Sequence, residues 1–231
     1  MPDRRAIYLN QALQYDELIS REDYEENILK TLLEIHDFNG NDIADIGAGT
    51  GRLALLLAPF VQSILLTDAA GPMLKVAEER LAAIGFTNFR TEVSDLTSIP
   101  AENASLNAVL ESWALAGAAL RSESWPDTVQ KAVKEMERVV KPGGSIILME
   151  TLGTGLEEPS PPNEKFAALY ESLEKQHGFS HRSIRTDYKF TTAEEKDRLL
   201  TFFFDKEMLD AGVHTDSMIY PECTGVWWKT V

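Results

Sequence analysis

Three glycines at alternate positions follow a short apolar run early in the chain. Gly47, Gly49 and Gly51 precede a second apolar stretch with helical spacing. Glycine lets the backbone approach a ligand closely, and a turn that opens a helix presents N–H groups to that ligand. Asp68 ends the next apolar run, where a carboxylate can accept hydrogen bonds from both hydroxyls of a ribose. Together these residues predict a ligand that contains adenosine.

The spacing of the glycines separates two classes of adenosine-containing ligand. Dinucleotide sites carry G-x-G-x-x-G, and their third glycine would stand where this chain has Arg52. Asp45 stands just before the first glycine, where a carboxylate suits a ligand with an ammonium and a sulfonium better than a pyrophosphate. The pattern therefore favours S-adenosylmethionine, and an NAD-dependent oxidoreductase is kept as an alternative.

At this point the sequence resembles the class I S-adenosylmethionine-dependent methyltransferases, especially the small-molecule branch of ubiquinone and menaquinone methyltransferases. The likeness covers about residues 42–151. Four segments carry it in the expected order: 45–51, 67–74, 94–96 and 139–144.

The resemblance implies a role for each matching residue. Asp45 and Gly47 would lie near the methionine part of S-adenosylmethionine, and Asp68 would bind the ribose. Met73 would lie against the adenine face, and Asp95 would bind the adenine amino group. The full predicted cofactor site, which also holds the product S-adenosylhomocysteine, is Asp45, Gly47, Ala48, Gly49, Gly51, Asp68, Ala69, Met73, Asp95, Leu96, Glu111 and Tyr15.

The acceptor of the methyl group is less clearly marked. No N-P-P-Y-like segment follows the fourth predicted strand, where residues 111–114 read Glu-Ser-Trp-Ala, and this favours a small-molecule acceptor with an O, N or C nucleophile. Asn107 stands where the family often has aspartate; the amide keeps the hydrogen bonding and loses the charge. With no acceptor motif in view, a methyltransferase-like binding module without activity is a further alternative.

Methyl transfer from a sulfonium is an in-line displacement, so alignment and desolvation can suffice. A base is needed only when the nucleophile must lose a proton. The candidates are Glu111, Glu150, His177 and His181, of which Glu111 and then His177 are selected as catalytic. Glu111 is equally compatible with ordering a loop or contacting the methionine amine. No metal site is predicted.

A parallel sheet must bring these residues together. The pattern predicts strands at 42–46, 62–67, 88–93, 106–111 and 145–150, and helices at 50–59, 71–84 and 126–140. The strands lack clean alternation, which is typical of a sheet covered on both faces. We therefore expect an α/β, doubly wound, Rossmann-like sheet. The resemblance implies seven strands, mostly parallel, with an antiparallel last strand.

Residues 1–38 are expected to form a helical cover. A short helix is followed by a second one, which Ser20 and Asp23 open and which runs to about His36. The resemblance implies that this cover begins at Tyr15. Candidates for an aromatic pocket around an apolar or cationic acceptor are Tyr8, Tyr15, Tyr24, Tyr170 and Tyr188.

Residues 39–231 are expected to form the methyltransferase domain, with 152–190 as a substrate lid inserted into it. Glycines and prolines open this lid segment. The predicted elements that follow are a helix at 163–177, a strand at 181–190, a helix from 192 to about 212 opened by a capping box of Thr192 and Glu195, and a strand at 217–228.

Charge and composition narrow the partners. The net charge is −15, from 37 acidic and 22 basic residues, so nucleic acids and anionic membranes are poor partners. Arg182, Arg185 and Lys189 are interpreted as a solvated face. The single cysteine, Cys223, and the lack of a leader or a long apolar run indicate a soluble cytoplasmic protein, monomeric or homodimeric.

Overall fold

The strands of the computed structural model, which describes residues 4–212 and 217–231, form a seven-stranded sheet and a two-stranded ribbon. They are β1 Asp42–Ile46, β2 Ser63–Asp68, β3 Phe89–Val93, β4 Leu106–Ser112, β5 Val140–Thr154, β6 Ser180–Arg185, β7 Tyr188–Lys189, β8 Ile219–Tyr220 and β9 Glu222–Thr230. The sheet order is β3-β2-β1-β4-β5-β9-β6, and β7 pairs with β8. Strand β9 is antiparallel to both of its neighbours, β5 and β6, and the other pairings in the large sheet are parallel. The predicted doubly wound sheet with an antiparallel last strand is confirmed.

The helices agree with prediction in the core of the fold and differ at its edges. They are α1 Arg4–Asn10, α2 Ala12–Ile19, α3 Asn27–Ile35, α4 Arg52–Leu57, α5 Gly71–Ala83, α6 Leu115–Leu120, α7 Trp125–Val139, α8 Glu164–Lys175, α9 Ala193–Phe203 and α10 Lys206–Ala211. Helix α3 begins later than predicted, because the Asp23 carboxylate accepts hydrogen bonds from the Asn27 and Ile28 N–H groups, at 2.9 and 3.0 Å. Helix α6 was not predicted.

The predicted helix from 192 to about 212 is two helices. The Thr192 hydroxyl caps α9 by accepting a hydrogen bond from Glu195 N at 3.1 Å, as the capping box predicts. The Asp205 carboxylate then starts α10 by accepting one from Met208 N at 3.0 Å. A second cap inside the predicted range therefore divides it.

Two apolar layers enclose the sheet. One contains Val109, Leu148 and side chains of α6, α7 and α8; the other contains Leu110, Ile147 and side chains of α3, α4 and α5. Because successive side chains of a strand point to opposite faces, Glu111 faces the first layer and residues one position away face the second. This alternation decides which polar groups meet at the strand ends.

The cover combines the N-terminal helices with a segment near the other end of the chain. Leu18 of α2 packs with Tyr188, Leu199, Phe204 and Tyr220 in a separate apolar cluster. The predicted lid range, in contrast, contributes α8 to the first core layer and β6 to the edge of the sheet. The part of the chain that lies on the N-terminal helices is therefore 188–204 with β8. No helix in the described ranges is long and apolar enough to cross a membrane.

Candidate active site

The glycine turn and Asp68 are in direct contact at the carboxyl ends of β1 and β2. Gly47, Gly49 and Gly51 have φ values of 67°, 54° and 81°, a left-handed conformation that side chains disfavour. Gly49 N donates a hydrogen bond to Asp68 Oδ2 at 2.9 Å, and Ala70 N donates one to Oδ1 at 2.8 Å. Burial raises the pKa of Asp68, and these N–H groups oppose that shift. The turn thus holds a carboxylate at its rim.

The three glycines serve different purposes. A Cβ placed on Gly47 would lie 2.5 Å from Ala114 Cβ, and one on Gly51 would lie 2.9 Å from Ala77 Cβ. A Cβ on Gly49 would meet only Met73 Cε at 3.5 Å and the Tyr15 ring at 4.0 Å. Packing therefore requires Gly47 and Gly51, whereas Gly49 leaves room between two side chains of the predicted cofactor site.

Asp45 lies beneath the turn and is almost fully buried. Its Oδ2 accepts a hydrogen bond from Ala54 N in α4 at 3.2 Å, while Oδ1 has no partner among the described residues. Burial, followed by the charge of Asp68, raises the pKa of Asp45 to about 7. An acceptor oxygen without a donor, next to left-handed glycines, fits a ligand that brings an ammonium group.

The remaining predicted cofactor residues divide into two groups. Met73 is buried against Ala70, Tyr8 and Tyr15, and Leu96 lies against Gly47. Ala69 and Asp95 are exposed, and Asp95 accepts hydrogen bonds from Thr97 N and Oγ1 at 2.9 and 2.7 Å. The structure therefore brings Met73, Leu96 and Tyr15 to the turn and leaves Asp95 in a local turn of its own.

Glu111 and Glu150 hold the start of α6. Glu111 Oε1 accepts hydrogen bonds from Ala114 N and Leu115 N at 2.7 and 2.8 Å, and Glu150 Oε1 accepts one from Ala116 N at 2.7 Å. Burial raises the pKa of Glu150 to about 7 and that of Glu111 well above its usual range. The charge of Glu150 raises the Glu111 pKa further. These contacts order the loop between β4 and α6.

Comparison with known proteins agrees with this geometry. The model of a methyltransferase domain matches residues 43–144, the part that contains the glycine turn, Asp68 and Glu111. Residues 43–144 match a methyltransferase domain, and the chain resembles class I S-adenosylmethionine-dependent methyltransferases over this part. The predicted resemblance is confirmed.

Two curated relatives match this domain. Phosphoethanolamine N-methyltransferase 1 of Caenorhabditis elegans is 32% identical over 112 residues, which cover 48% of this chain and 22% of that protein. A ubiquinone/menaquinone biosynthesis C-methyltransferase of Ralstonia pickettii is 34% identical over 114 residues, which cover 48% of this chain and 43% of that protein. The chain thus spans less than half the length of these relatives.

A solved structure extends the comparison to most of the fold. The YcgJ protein of Bacillus subtilis has a TM-score of 0.59 with 17% sequence identity, and the match covers 88% of this chain and 97% of that one. At this identity the similarity concerns the fold. This similarity in fold extends to helices and strands outside residues 43–144.

The two histidine candidates lie at the edge of the sheet, in or just before β6. Lys229 Nζ donates a hydrogen bond to the His177 carbonyl at 3.0 Å, and the His181 ring stacks on Trp227 at 4.5 Å between centroids. Ser180 pairs with Trp228, which pairs in turn with Ile147 at the middle of β5, and Lys229 pairs with Ile146, one residue nearer the amino end. His177 therefore lies toward the amino ends of the parallel strands, opposite the glycine turn, and cannot act at the methyltransferase site.

The aromatic candidates for the acceptor pocket also lie in different parts of the structure. The rings of Tyr8 and Tyr15 lie 5.3 Å apart, and Phe203 of α9 lies 5.2 Å from Tyr15. Tyr24 is partly exposed, and Tyr170 packs on Trp227 in the opposite layer at 4.6 Å. The cover over the methyltransferase domain thus contains four aromatic side chains: Tyr8, Tyr15, Tyr188 and Phe203.

A buried polar cluster that no motif indicated lies beside the glycine turn. Arg52 Nη1 donates to Glu22 Oε2 at 2.7 Å, and the guanidinium lies 4.9 Å from the centre of the Trp113 ring. Trp113 has a φ of 54°, which a side chain that bulky rarely adopts. Arg52 stands where a dinucleotide-binding motif has its third glycine, and its guanidinium is held in an ion pair with Glu22.

Glu222 completes this cluster from the first position of β9. Its Oε1 accepts a hydrogen bond from Thr151 Oγ1 at 2.9 Å, and burial followed by the charge of Glu22 raises its pKa to about 8. The strand is antiparallel, so its first residue lies at the same edge as the carboxyl ends of β4 and β5. Only the register of β9 could have placed Glu222 here, and the sequence carries no signal for it.

Proposed function

We propose that this chain transfers the methyl group of S-adenosylmethionine to a small-molecule acceptor. The observation that carries the proposal is the contact between Asp68 and Gly49, which joins a carboxylate suited to a ribose to a left-handed turn in a methyltransferase domain. When bound, S-adenosylmethionine supplies an electrophilic methyl group on a sulfonium.

The residues around the turn have distinct proposed roles. Asp68 binds the ribose hydroxyls, and the free oxygen of Asp45 faces the methionine ammonium. Gly47, Ala48, Gly49 and Gly51 provide the backbone cradle. Met73 and Leu96 flank the adenine, while Ala69 and Asp95 bind at its exposed rim.

Glu111 and Tyr15 have supporting roles in this proposal. Glu111 holds the loop that presses on Gly47 through Ala114, so it positions the turn. Tyr15 closes the cleft over Gly49. The proton of a protic acceptor must then go to another group.

A small acceptor agrees with the closed cover and the charge. The net charge of −15 disfavours nucleic acids, and the rings of Tyr8, Tyr15 and Phe203 cover the turn. The names of the two curated relatives refer to small acceptors, phosphoethanolamine and the precursors of ubiquinone and menaquinone. A cytoplasmic location is part of the same proposal, supported by the buried free thiol of Cys223.

Calorimetric titration of the purified chain with S-adenosylhomocysteine tests the cofactor. We expect saturable binding, and no heat when NAD is titrated under the same conditions. An absence of binding to S-adenosylhomocysteine would overturn the proposal. Incubation with methyl-labelled S-adenosylmethionine and a broad acceptor panel tests transfer; tight binding without transfer to any member would instead favour a silent binding module.

A further inference from the structure

The cluster of Glu22, Arg52, Trp113 and Glu222 adjoins the methyl-donor end of the site. Arg52 is the residue directly after Gly51 and the first of α4. Tyr15, which lies over Gly49, has a hydroxyl on which the charges of Glu22 and Arg52 act. The cluster therefore begins where the cofactor turn ends, on the side of the strands that the cover encloses.

Glu222 adds an acidic group that the cluster does not neutralise. Arg52 is already paired with Glu22, and Asp187, which accepts a hydrogen bond from Glu222 N, is paired with Arg185 at 2.8 Å. The other titratable side chains that face Glu222 are tyrosines and a cysteine: Tyr170, Tyr188, Tyr220 and Cys223. Asp23 also acts on Arg52, and Glu157 shares Arg185, so when Glu222 is ionised the carboxylates around these two arginines outnumber them.

This excess carboxylate also has an unsatisfied oxygen. Glu222 is 2% exposed, and within the described ranges its Oε2 has no hydrogen-bond partner. The buried hydroxyl of Tyr220, on which the charge of Glu222 acts, likewise has none there. Arg52 Nη2, in the same cluster, is also without a partner there, and because buried polar atoms are nearly always paired, these groups leave hydrogen-bonding capacity for a bound ligand.

We propose that the methyl acceptor is an amine, whose ammonium group binds to Glu222 within this cluster. The inference rests on the proposed methyltransferase function. An ionised Glu222 without a cation of its own, with the ring of Tyr188 near it, provides surroundings that favour a cation. A neutral acceptor would leave the charge of an ionised Glu222 uncompensated, and an anionic acceptor would be repelled by it.

Glu222 can also accept the proton that the bound ammonium group must lose. A bound ammonium has no lone pair, so it must release one proton to Glu222 before it can react. The nitrogen lone pair then forms the bond to the methyl carbon while the carbon–sulfur bond breaks and its electrons stay on sulfur. The product is a methylated ammonium ion, and the proton leaves Glu222 for solvent. The pKa of Glu222, about 8, suits a group that exchanges a proton near neutral pH.

Calorimetry on the complete chain tests this proposal. Methylamine, ethanolamine and benzylamine are titrated into the protein saturated with S-adenosylhomocysteine, at about pH 7, in two buffers with different ionisation enthalpies. We expect at least one amine to bind and to release about one proton, because its charge displaces the proton that Glu222 holds. Benzyl alcohol, the neutral counterpart, should bind without proton release.

Two variants locate the effect. Glu222→Gln should weaken amine binding about tenfold to a hundredfold and abolish proton release, as expected for loss of a charged hydrogen-bond partner. Glu222→Asp keeps the carboxylate and should retain proton release with weaker binding. Glu135→Gln, a control on the far side of the sheet, should behave like the wild type, and all three should bind S-adenosylhomocysteine normally.

The outcomes distinguish the two proposals. Normal binding of S-adenosylhomocysteine with no binding of any of the three amines would overturn the amine proposal and leave the proposed function intact. Equal amine binding by the wild type and by Glu222→Gln would overturn the role of Glu222. If S-adenosylhomocysteine does not bind, the proposed function fails, and the same titrations on the free protein still decide whether the cluster binds amines.

Discussion

The proposed cofactor end and the proposed acceptor end of the site are built from different parts of the chain. The cofactor end is formed by backbone within residues 45–73, where left-handed glycines and N–H groups surround Asp68. The acceptor end is formed by side chains from distant segments, which meet at Arg52 and Glu222. Backbone geometry determines the shape of the cofactor end, whereas the pairing of buried charges determines the stability of the acceptor end. The first end should therefore respond to changes of shape, and the second to changes of charge and pH.

The largest expected effect is at the acceptor end. Arg52→Met leaves the Glu22 carboxylate buried without its partner, which we expect to lower the free energy of unfolding by about 3–5 kcal/mol. Denaturant unfolding measures the loss. The double variant with Glu22→Gln should recover most of it; a double variant as unstable as Arg52→Met would show that the pairing of charges is not what stabilises this end.

A change of shape tests the cofactor end. Gly47→Ala places a Cβ 2.5 Å from Ala114 Cβ at a residue with a φ of 67°. We expect a loss of about 2–4 kcal/mol in unfolding free energy from the left-handed backbone and the overpacking. Gly143→Ala is the matched control: its φ is 83° and nothing surrounds its Cβ. An equal loss at both positions would mean that the contact with Ala114 contributes nothing.

Asp68 separates ligand binding from stability. Asp68→Asn replaces an acceptor by an amide N–H that faces the Gly49 or Ala70 donor, and it removes the charge. We expect the affinity for S-adenosylhomocysteine to fall about tenfold to a hundredfold, with a smaller change in thermal stability. Calorimetry compares it with the exposed control Asp127→Asn. An unchanged affinity would contradict the proposed contact with the ribose.

A dependence of stability on pH tests the buried carboxyl groups of both ends together. Burial raises the pKa values of Asp45 and Glu150 to about 7 and that of Glu222 to about 8. The unfolded chain releases these protons near pH 4, so between about pH 4 and about pH 8 the folded state binds more protons. The free energy of unfolding should therefore fall as the pH rises through this window.

Unfolding free energies measured across that window check the prediction. Glu222→Gln should flatten the upper part of the decline, because it removes the group with the highest of the three pKa values. A stability that rises with pH over the same range would contradict the protonation of these carboxyl groups.

Sequence reasoning reached the cofactor end because its signals are local. Gly47 and Asp68 belong to adjacent strand ends, and the order of strand and helix around them is visible in the apolar pattern. Helix α6 was missed because it is short and apolar all round, and because its cap comes from Glu111 and Glu150 in two strands. No local pattern contains that information.

The errors at the acceptor end have the same cause. His177 was selected for its residue type near a glycine, but the register of β6 and β9 places it at the wrong edge of the sheet. Glu222 was overlooked because its position depends on the antiparallel pairing of Thr154 with Glu222. Contacts across such sequence separations are decided by tertiary packing, which residue spacing does not report.

The ion pair between Glu22 and Arg52 has a consequence for turnover. Glu22 follows α2 and forms a bridge with Tyr188 of the cover, whereas Arg52 directly follows the glycine turn. An opening of the cover away from the turn would separate these two charges and let water reach them. We therefore expect exchange of ligands, rather than formation of the new bond, to limit the rate of the proposed methyl transfer.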